Sequence, residues 1–393
     1  MFYQRTILPR LEKELKTKEV TVLTGMRQVG KTSILEHLFN KVDSGNKALL
    51  DAQNPLHRMV FEEQNYDLVL QNLREFGIKG DSHAYVFIDE IQFMPEITQV
   101  IKYLYDHYGT KFVVTGSSSY YLRNLFPESL AGRKLTFELY PLTFTEFLTF
   151  KKVEKESFAG FETKNDSKNK ISYAKYKEYY REYMRYGGFP AVVLETDVQR
   201  KLELLEAVFK SYFEIDVKNL ADFRQISKVR DLILLLSSRV GSKLDISKLS
   251  SELSISRETV YSYLAFLEQT YFIALLPRFS RSIDRTSAGM KKLYLCDTGL
   301  ANILGQLSDG QQLENTVFQN LRTFKSLYYY AKKSGAEIDF IVGKKCALEV
   351  KRTATNQDIV TTKRLTSELK LSESYVISHK YVDLNGVILA QDL

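Results

Sequence analysis

The sequence is poor in cysteine and histidine and has no long apolar run, and each shortage excludes a class of protein. Cys296 and Cys346 are the only cysteines in 393 residues. Two cysteines argue against a disulfide framework and suit a reducing cytosol. The five histidines, His37, His57, His83, His107 and His379, are scattered without ligand spacing, which argues against a zinc site. No stretch approaches the roughly eighteen apolar residues of a membrane span. The longest apolar candidate, Leu232–Leu236, reads as part of a buried helix. The opening "MFYQRTILPRLEKELKTKEV" is charged and lacks the apolar centre of a signal peptide. The expectation is a cytoplasmic protein with no membrane partner.

What is present is a chain long enough for about two to four domains. Apolar residues make up 44%, enough for several packed cores, and the net charge of +7 leans mildly toward a polyanionic partner. The most specific motif lies early, in "TVLTGMRQVGKTSIL". Gly25, Gly30, Lys31 and Thr32 fit G-x-x-x-x-G-K-[ST], the Walker A pattern. An apolar run, Val20 to Leu23, precedes it as a buried strand. Ile34, Leu35 and Leu38 follow at helical spacing, predicting a helix over about 31–39. Glycines let the backbone of Gly25, Met26, Arg27, Gln28, Val29 and Gly30 wrap an anion with its N–H groups. Lys31 would reach the β- and γ-phosphates, Thr32 would bind Mg²⁺, and Ser33 completes the loop. The helix that follows points its positive end at the phosphates.

A second motif supports the first. "AYVFIDEIQ" is an apolar strand ending in Asp89 and Glu90. A carboxylate pair there is the Walker B arrangement, with Asp89 for the Mg²⁺ shell and Glu90 to orient and polarise the attacking water. The next strand, "KFVVTGSSS", ends in Thr115, Gly116 and Ser117, where a polar side chain can sense the γ-phosphate. Arg133 stands just before a further strand, 135–139, and can act as an arginine finger on a neighbouring subunit's nucleotide. A finger implies an oligomer.

The middle of the chain changes character. Residues 151–182 are rich in Lys and Glu, with a loop expected over 165–170. Ile171, Tyr176, Tyr180, Tyr183 and Met184 then recur at roughly helical spacing. Lysine with tyrosine can stack on bases and hold phosphates. A lid helix with tyrosines inward and lysines solvated accounts for the same pattern and is the expectation. Gly187-Gly188 ends that helix, and residues 198–240 read as two more. From Asp245 the pattern is a short helix, a turn at "SIS" with Ser256 as N-cap, and a second helix burying Val260, Tyr263, Leu264 and Leu267. An apolar strand, "YFIALL", follows. This is the layout of a winged helix-turn-helix. Arg257 and Tyr261 on the second helix, with Arg278, Arg281, Arg285, Lys291 and Lys292 in the wing, suit contact with duplex DNA.

The last quarter gathers carboxylates. Glu314 is expected to open a helix, Asp339 lies in "AEIDFIV", and Glu349 and Lys351 share a strand face in "CALEVK". Asp339 can meet Glu349 across a shared Mg²⁺, with Glu314 as a further ligand and Lys351 placing the attacking water. The set resembles the PD-(D/E)XK nuclease core. One departure is Asn320, where that resemblance leads one to expect a second acidic residue on the helix.

Taken in order, GxxxxGKT, "FIDEIQ", "TGSSS", "SLAGR", "YPLTFTEFL", "YMRYGGFPAVV", "LYLCDTGLANIL" and "EIDFIV…ALEVK" resemble a group of bacterial and archaeal AAA-type ATPases over nearly the whole chain. The resemblance implies an α/β architecture in four parts. These are an AAA-type P-loop core over 1–150, a helical lid with a charged insertion over 151–240, a winged helix-turn-helix over 241–292, and a restriction-endonuclease-like α/β domain over 293–393. It implies ATP and Mg²⁺ as cofactors, Arg133 as the finger, and Ser117 or Thr115 as the sensor. The function expected is a Mg-ATP-dependent ATPase that remodels or processes DNA, with a metal-dependent nuclease domain. The alternative is a nucleotide switch for a protein partner, with an inert nuclease-like docking domain.

Overall fold

The computed structural model describes all residues except 1, 81–82, 118–131, 157, 159, 221–222, 224, 281–288, 325 and 333–334. The chain divides into two units. The first is Met1–Tyr140 with Gln269–Tyr271; the second is Pro141–Glu268 with Phe272–Leu393.

In the first unit five strands, β1 (Val20–Thr24), β2 (Lys47–Asp51), β3 (Tyr85–Asp89), β4 (Lys111–Gly116) and β5 (Lys134–Glu138), form one sheet in the order β2-β3-β4-β1-β5. Every neighbouring pair is parallel. β1 and β4 are buried along their whole length, which is why they read as unbroken apolar runs rather than alternating ones. Val22, Ile88 and Val114 pack against Leu70, Ile101 and Leu104 from the helices Tyr66–Arg74 and Ile97–Tyr108. The register sets Thr24 beside Gly116 and Asp51 beside Asp89. The C-terminal ends of β1, β3 and β4 therefore lie along one edge, where ligands bind open parallel sheets. The helix after the P-loop runs Lys31–Lys41, slightly longer than the spacing predicted.

The second unit is mostly helical before residue 270. Its strands β6 (Ile273–Leu276) and β7 (Lys292–Leu295) pair antiparallel. A mixed sheet follows, built from β8 (Leu327–Ala331), β9 (Glu337–Val342), β10 (Cys346–Lys351), β11 (Glu373–Ser378) and β12 (Val387–Leu389) in the order β12-β11-β10-β9-β8. Asp245 caps the helix Ile246–Leu253 through Lys248 N–H, and the Ser256 hydroxyl accepts from Thr259 N–H ahead of the helix Arg257–Gln269. Among the described residues no helix is long and apolar enough to cross a membrane.

Four local expectations are corrected. Asn165 and Asp166, expected to begin a loop, instead end the helix Phe161–Asp166, and the loop is confined to 167–169. Asn165 is buried there because its amide donates to Asn385 Oδ1 at 3.0 Å and its oxygen accepts Gly386 N–H at 2.8 Å. Ile171 is 81% exposed, at the start of the helix Lys170–Tyr186, while Tyr176, Tyr180, Tyr183 and Met184 face inward. The helix Val198–Ser211 continues into a π-helical stretch, Tyr212–Leu220, before the next helix at Ile226. Glu314 lies in mid-helix rather than at its start, because Ser308 and Gln311 form a capping box that begins the helix at Asp309.

Candidate nucleotide site

The loop after β1 is shaped by contacts that only glycine tolerates. A Cβ on Gly25 would stand 2.1 Å from the Leu139 carbonyl oxygen, and Gly30 has φ 99. Gln28 also turns through the left-handed region at φ 64. Arg5 braces the loop from below, donating to the Val29 carbonyl at 2.9 Å. Lys31 is buried, and its ammonium donates to the carbonyls of Gly25 and Met26 at 3.0 and 3.1 Å. Ser33 is exposed in the first turn of the helix.

The carboxylates arrive from β3. Asp89 Oδ2 accepts the Thr32 hydroxyl at 2.6 Å, and its other oxygen accepts the Thr115 hydroxyl. Two hard oxygen donors from separate elements thus meet at one point, a donor set that suits Mg²⁺. Thr32, Asp89, Lys31 and the loop amides fit a magnesium-bound triphosphate.

Glu90 takes φ 53, a left-handed conformation unusual for a side chain of its size. Its N–H donates to Thr115 Oγ1 at 3.1 Å. Its carboxylate accepts from the Gln92 amide and lies 3.8 Å from Arg27 Nη1. Gln92 also donates to Ser117 Oγ at 3.1 Å and accepts Ser117 N–H at 3.3 Å. Of the two sensor candidates, Thr115 is engaged by Asp89 and Glu90, whereas Ser117 joins Gln92. Nothing in the sequence singles out Gln92, although it closes the "FIDEIQ" segment; only its buried position between two strand ends reveals it. Arg133 Nε lies 3.3 Å from the Asp106 carboxylate of the same chain.

In the second unit two of the predicted carboxylates, Glu314 and Asp339, gather around an ammonium together with Glu337, which the sequence does not single out, while Glu349 lies with Lys351. Lys292 is 2% exposed, and its Nζ lies 2.7 Å from Glu314, 2.9 Å from Glu337 and 3.0 Å from Asp339. This corrects its placement as a solvent-facing wing residue. Tyr294 donates to Glu314 at 2.7 Å, and Lys243 reaches Glu337 at 2.8 Å. Asp339 Oδ2 accepts Val350 N–H at 2.9 Å, and Lys351 pairs with Glu349 at 2.7 Å. Burial alone would lower the Lys292 ammonium's pKa; Asp339, Glu314 and Glu337 more than reverse this and hold it charged. Burial and the nearby Asp339 raise Glu314 to about 7, and the same two causes raise Glu349 to about 7. Among the described residues no group of three or more His, Cys, Asp or Glu is placed to hold a metal ion. Lys292 Nζ stands within 3.0 Å of both Glu314 and Asp339, so an ammonium and not a divalent metal bridges these two carboxylates. Asn320 acts elsewhere, its oxygen accepting Phe144 N–H at 2.8 Å at the start of the helix Phe144–Phe150.

The residues expected to touch DNA are divided. Arg257 is exposed and Tyr261 is 59% exposed on the helix Arg257–Gln269. Arg278 is turned inward, its guanidinium donating to the Ala331 carbonyl. Arg281 and Arg285 lie outside the described residues.

Comparison with known proteins bears on the first unit most directly. Residues 17–148 match a family model described as an AAA domain. That stretch, most of it in the first unit, is thus similar to an AAA domain. Residues 177–311 and 309–386 match two models described only as domains of unknown function. An uncharacterized protein of Methanocaldococcus jannaschii is 29% identical over 383 residues, covering 92% of this chain and 82% of its own. An uncharacterized protein of Haemophilus influenzae is 27% identical over 360 residues, covering 88% of this chain and 84% of its own. AMPPCP-bound DnaA from Aquifex aeolicus matches at 14% identity over 66% of this chain and 86% of that one, with a TM-score of 0.30, too low to carry a fold argument.

Proposed function

We propose that the protein is a Mg²⁺-dependent ATPase whose nucleotide cycle governs contact with DNA. The observation that carries the ATPase half is the meeting of Thr32, the residue after Lys31, with Asp89 at 2.6 Å, at the C-terminal edge of a parallel sheet. Loop amides and Lys31 hold the phosphates, while the oxygens of Thr32 and Asp89 hold Mg²⁺. Bound magnesium offsets the charge of the phosphate oxygens. Glu90, fixed by Gln92, orients the attacking water and accepts its proton. Ser117 sits where a γ-phosphate is sensed, and Gln92 relays its position to Glu90. Arg133 serves as a finger toward a second copy of the chain, in a cytoplasmic homo-oligomer.

The DNA half is supported by the two helices joined at Ser254–Ser256, the antiparallel pair β6–β7, and the exposed Arg257 and Tyr261. We read these elements as a winged helix that meets duplex backbone. The C-terminal sheet with its carboxylates is read as a restriction-endonuclease-like domain. The Lys292 cluster favours a second reading for that part, an inert module that docks a protein partner.

Lys31→Ala is expected to abolish ATP binding in calorimetry, and Glu90→Gln to bind ATP while turnover drops about a hundred-fold or more. Unaltered hydrolysis in Lys31→Ala would refute the site. A gel shift with branched and linear duplexes at several salt concentrations tests the DNA half; no shift at low salt leaves the protein-docking switch.

A further inference from the structure

A cleft of about 350 Å³ in the second unit lies between the helix Lys170–Tyr186 and the ends of β10 and β11. On the helix, Lys177, Arg181 and Arg185 recur every four residues and line one wall. That spacing sets cations about 6 Å apart along a single face. Arg352, His379 and Lys380 line the opposite wall. They are brought together by the parallel ladder running past the strand ends: His379 N–H donates to the Lys351 carbonyl at 3.0 Å, and Lys380 N–H to the Arg352 carbonyl at 2.9 Å. Asp309 is the single carboxylate among the lining residues. It pairs with Arg352 at 3.3 Å, with both side chains well exposed, so it offsets little of the positive field. Glu178, one turn from Arg181, pairs with it in the open at 2.5 Å. Tyr173 extends the cationic stripe by one more turn, and its ring lies 5.9 Å from that of Tyr381.

We propose that this cleft binds the phosphodiester backbone of a single nucleic-acid strand, with Tyr173 and Tyr381 as its base-stacking end. Cations in a line, facing a second cationic wall, track an extended chain of phosphates better than one compact anion. Aromatic rings at the end of such a groove stack bases of any sequence. A cleft of this volume belongs to the size class filled by small ligands, which leaves room for a short stretch of one strand and none for a duplex. The site goes beyond the duplex contact argued for Arg257 and Tyr261 and does not depend on it.

The test is fluorescence anisotropy on the full chain, using a labelled single strand of about twelve nucleotides and a matched duplex across a salt series. Lys177→Glu with Arg181→Glu, and separately Arg352→Glu with Lys380→Glu, should each weaken strand binding about ten-fold or more. Each pair should also flatten the slope of log affinity against log salt by about one to one and a half, since each phosphate no longer neutralised removes roughly 0.7 from it. Tyr173→Ala should weaken strand binding several-fold with the slope unchanged. Duplex binding and ATP turnover should stay at the wild-type level in all three variants. Melting curves, and the milder Lys177→Gln with Arg181→Gln, guard against a folding defect. Unchanged strand affinity and slope in the reversed variants overturn the proposal. So does displacement of the strand by stoichiometric pyrophosphate, which marks a small-anion site, and so does absence of strand binding by the wild type at low salt. Arg257→Glu with Tyr261→Ala separates the two readings, because it should remove duplex binding and leave strand binding intact.

Discussion

Glu90 is held at a backbone angle that costs on the order of 1 kcal/mol for a residue other than glycine or asparagine. The surroundings fix it there from three sides: Thr115 takes its N–H, Gln92 takes one carboxylate oxygen, and Arg27 stands behind. A group whose position matters for chemistry is where such strain is retained. Lys292 shows the opposite case, a charge kept for structure. Three carboxylates meet two ammonium groups, Lys292 and Lys243, and one carboxyl of the set, Glu314, keeps its proton to about neutral pH. Replacing Lys292 by Met leaves buried carboxylates uncompensated and should cost about 3–5 kcal/mol in urea unfolding. Adding Glu314→Gln should restore part of that loss. Glu314→Gln alone tests the raised carboxyl. Protonated Glu314 contributes stability that is full below about pH 4.5 and lost as pH rises through about 7. The variant, neutral throughout, should therefore gain on the wild type by about 2–3 kcal/mol between pH 4.5 and 8. A pH-independent difference would mean Glu314 is ionised throughout.

At the scale of elements, ends and crossings decide more than interiors. Gly187 closes the helix Lys170–Tyr186 with φ 76, and a Cβ there would stand 1.9 Å from Asp297 Oδ1. Asp297 in turn accepts Gly188 N–H at 2.6 Å and caps the helix Thr298–Gly305. Gly187→Ala should thus unseat two helices at once, lowering stability by about 2 kcal/mol or more. Asp245→Ala removes only a cap and should cost about 1 kcal/mol. Thermal unfolding followed by circular dichroism ranks the two. Strands β1, β3 and β4 were legible because burial on both faces leaves an unbroken apolar signature. Caps at Asp245 and Ser256 were legible because a side chain three residues from its target is a local rule. The capping box at Ser308 is equally local, but the carboxylate of Glu314 six residues later carries the more conspicuous chemical signal and draws the expected helix start toward itself.

At the scale of the whole molecule, the finger reading makes a demand on assembly. If Arg133 acts on another subunit's nucleotide, mixing inactive Lys31→Ala with inactive Arg133→Ala subunits should restore a measurable share of turnover. A strictly additive, inactive mixture would confine Arg133 to its bond with Asp106.

The sequence by itself determined what short-range spacing encodes: the glycine-bounded loop after β1, the carboxylates at the end of β3, the buried strands, and the helix pair around Ser256. Tertiary structure alone decided which charges neutralise one another. Lys292 finds Asp339 across 47 residues, and Asn320 finds the backbone of Phe144 across 176. Lys177, Arg181 and Arg185 share a cleft with Arg352 and Lys380 only because a sheet end lies opposite their helix. Spacing rules hold within one element, whereas electrostatic pairing depends on distance in space, which chain order does not carry.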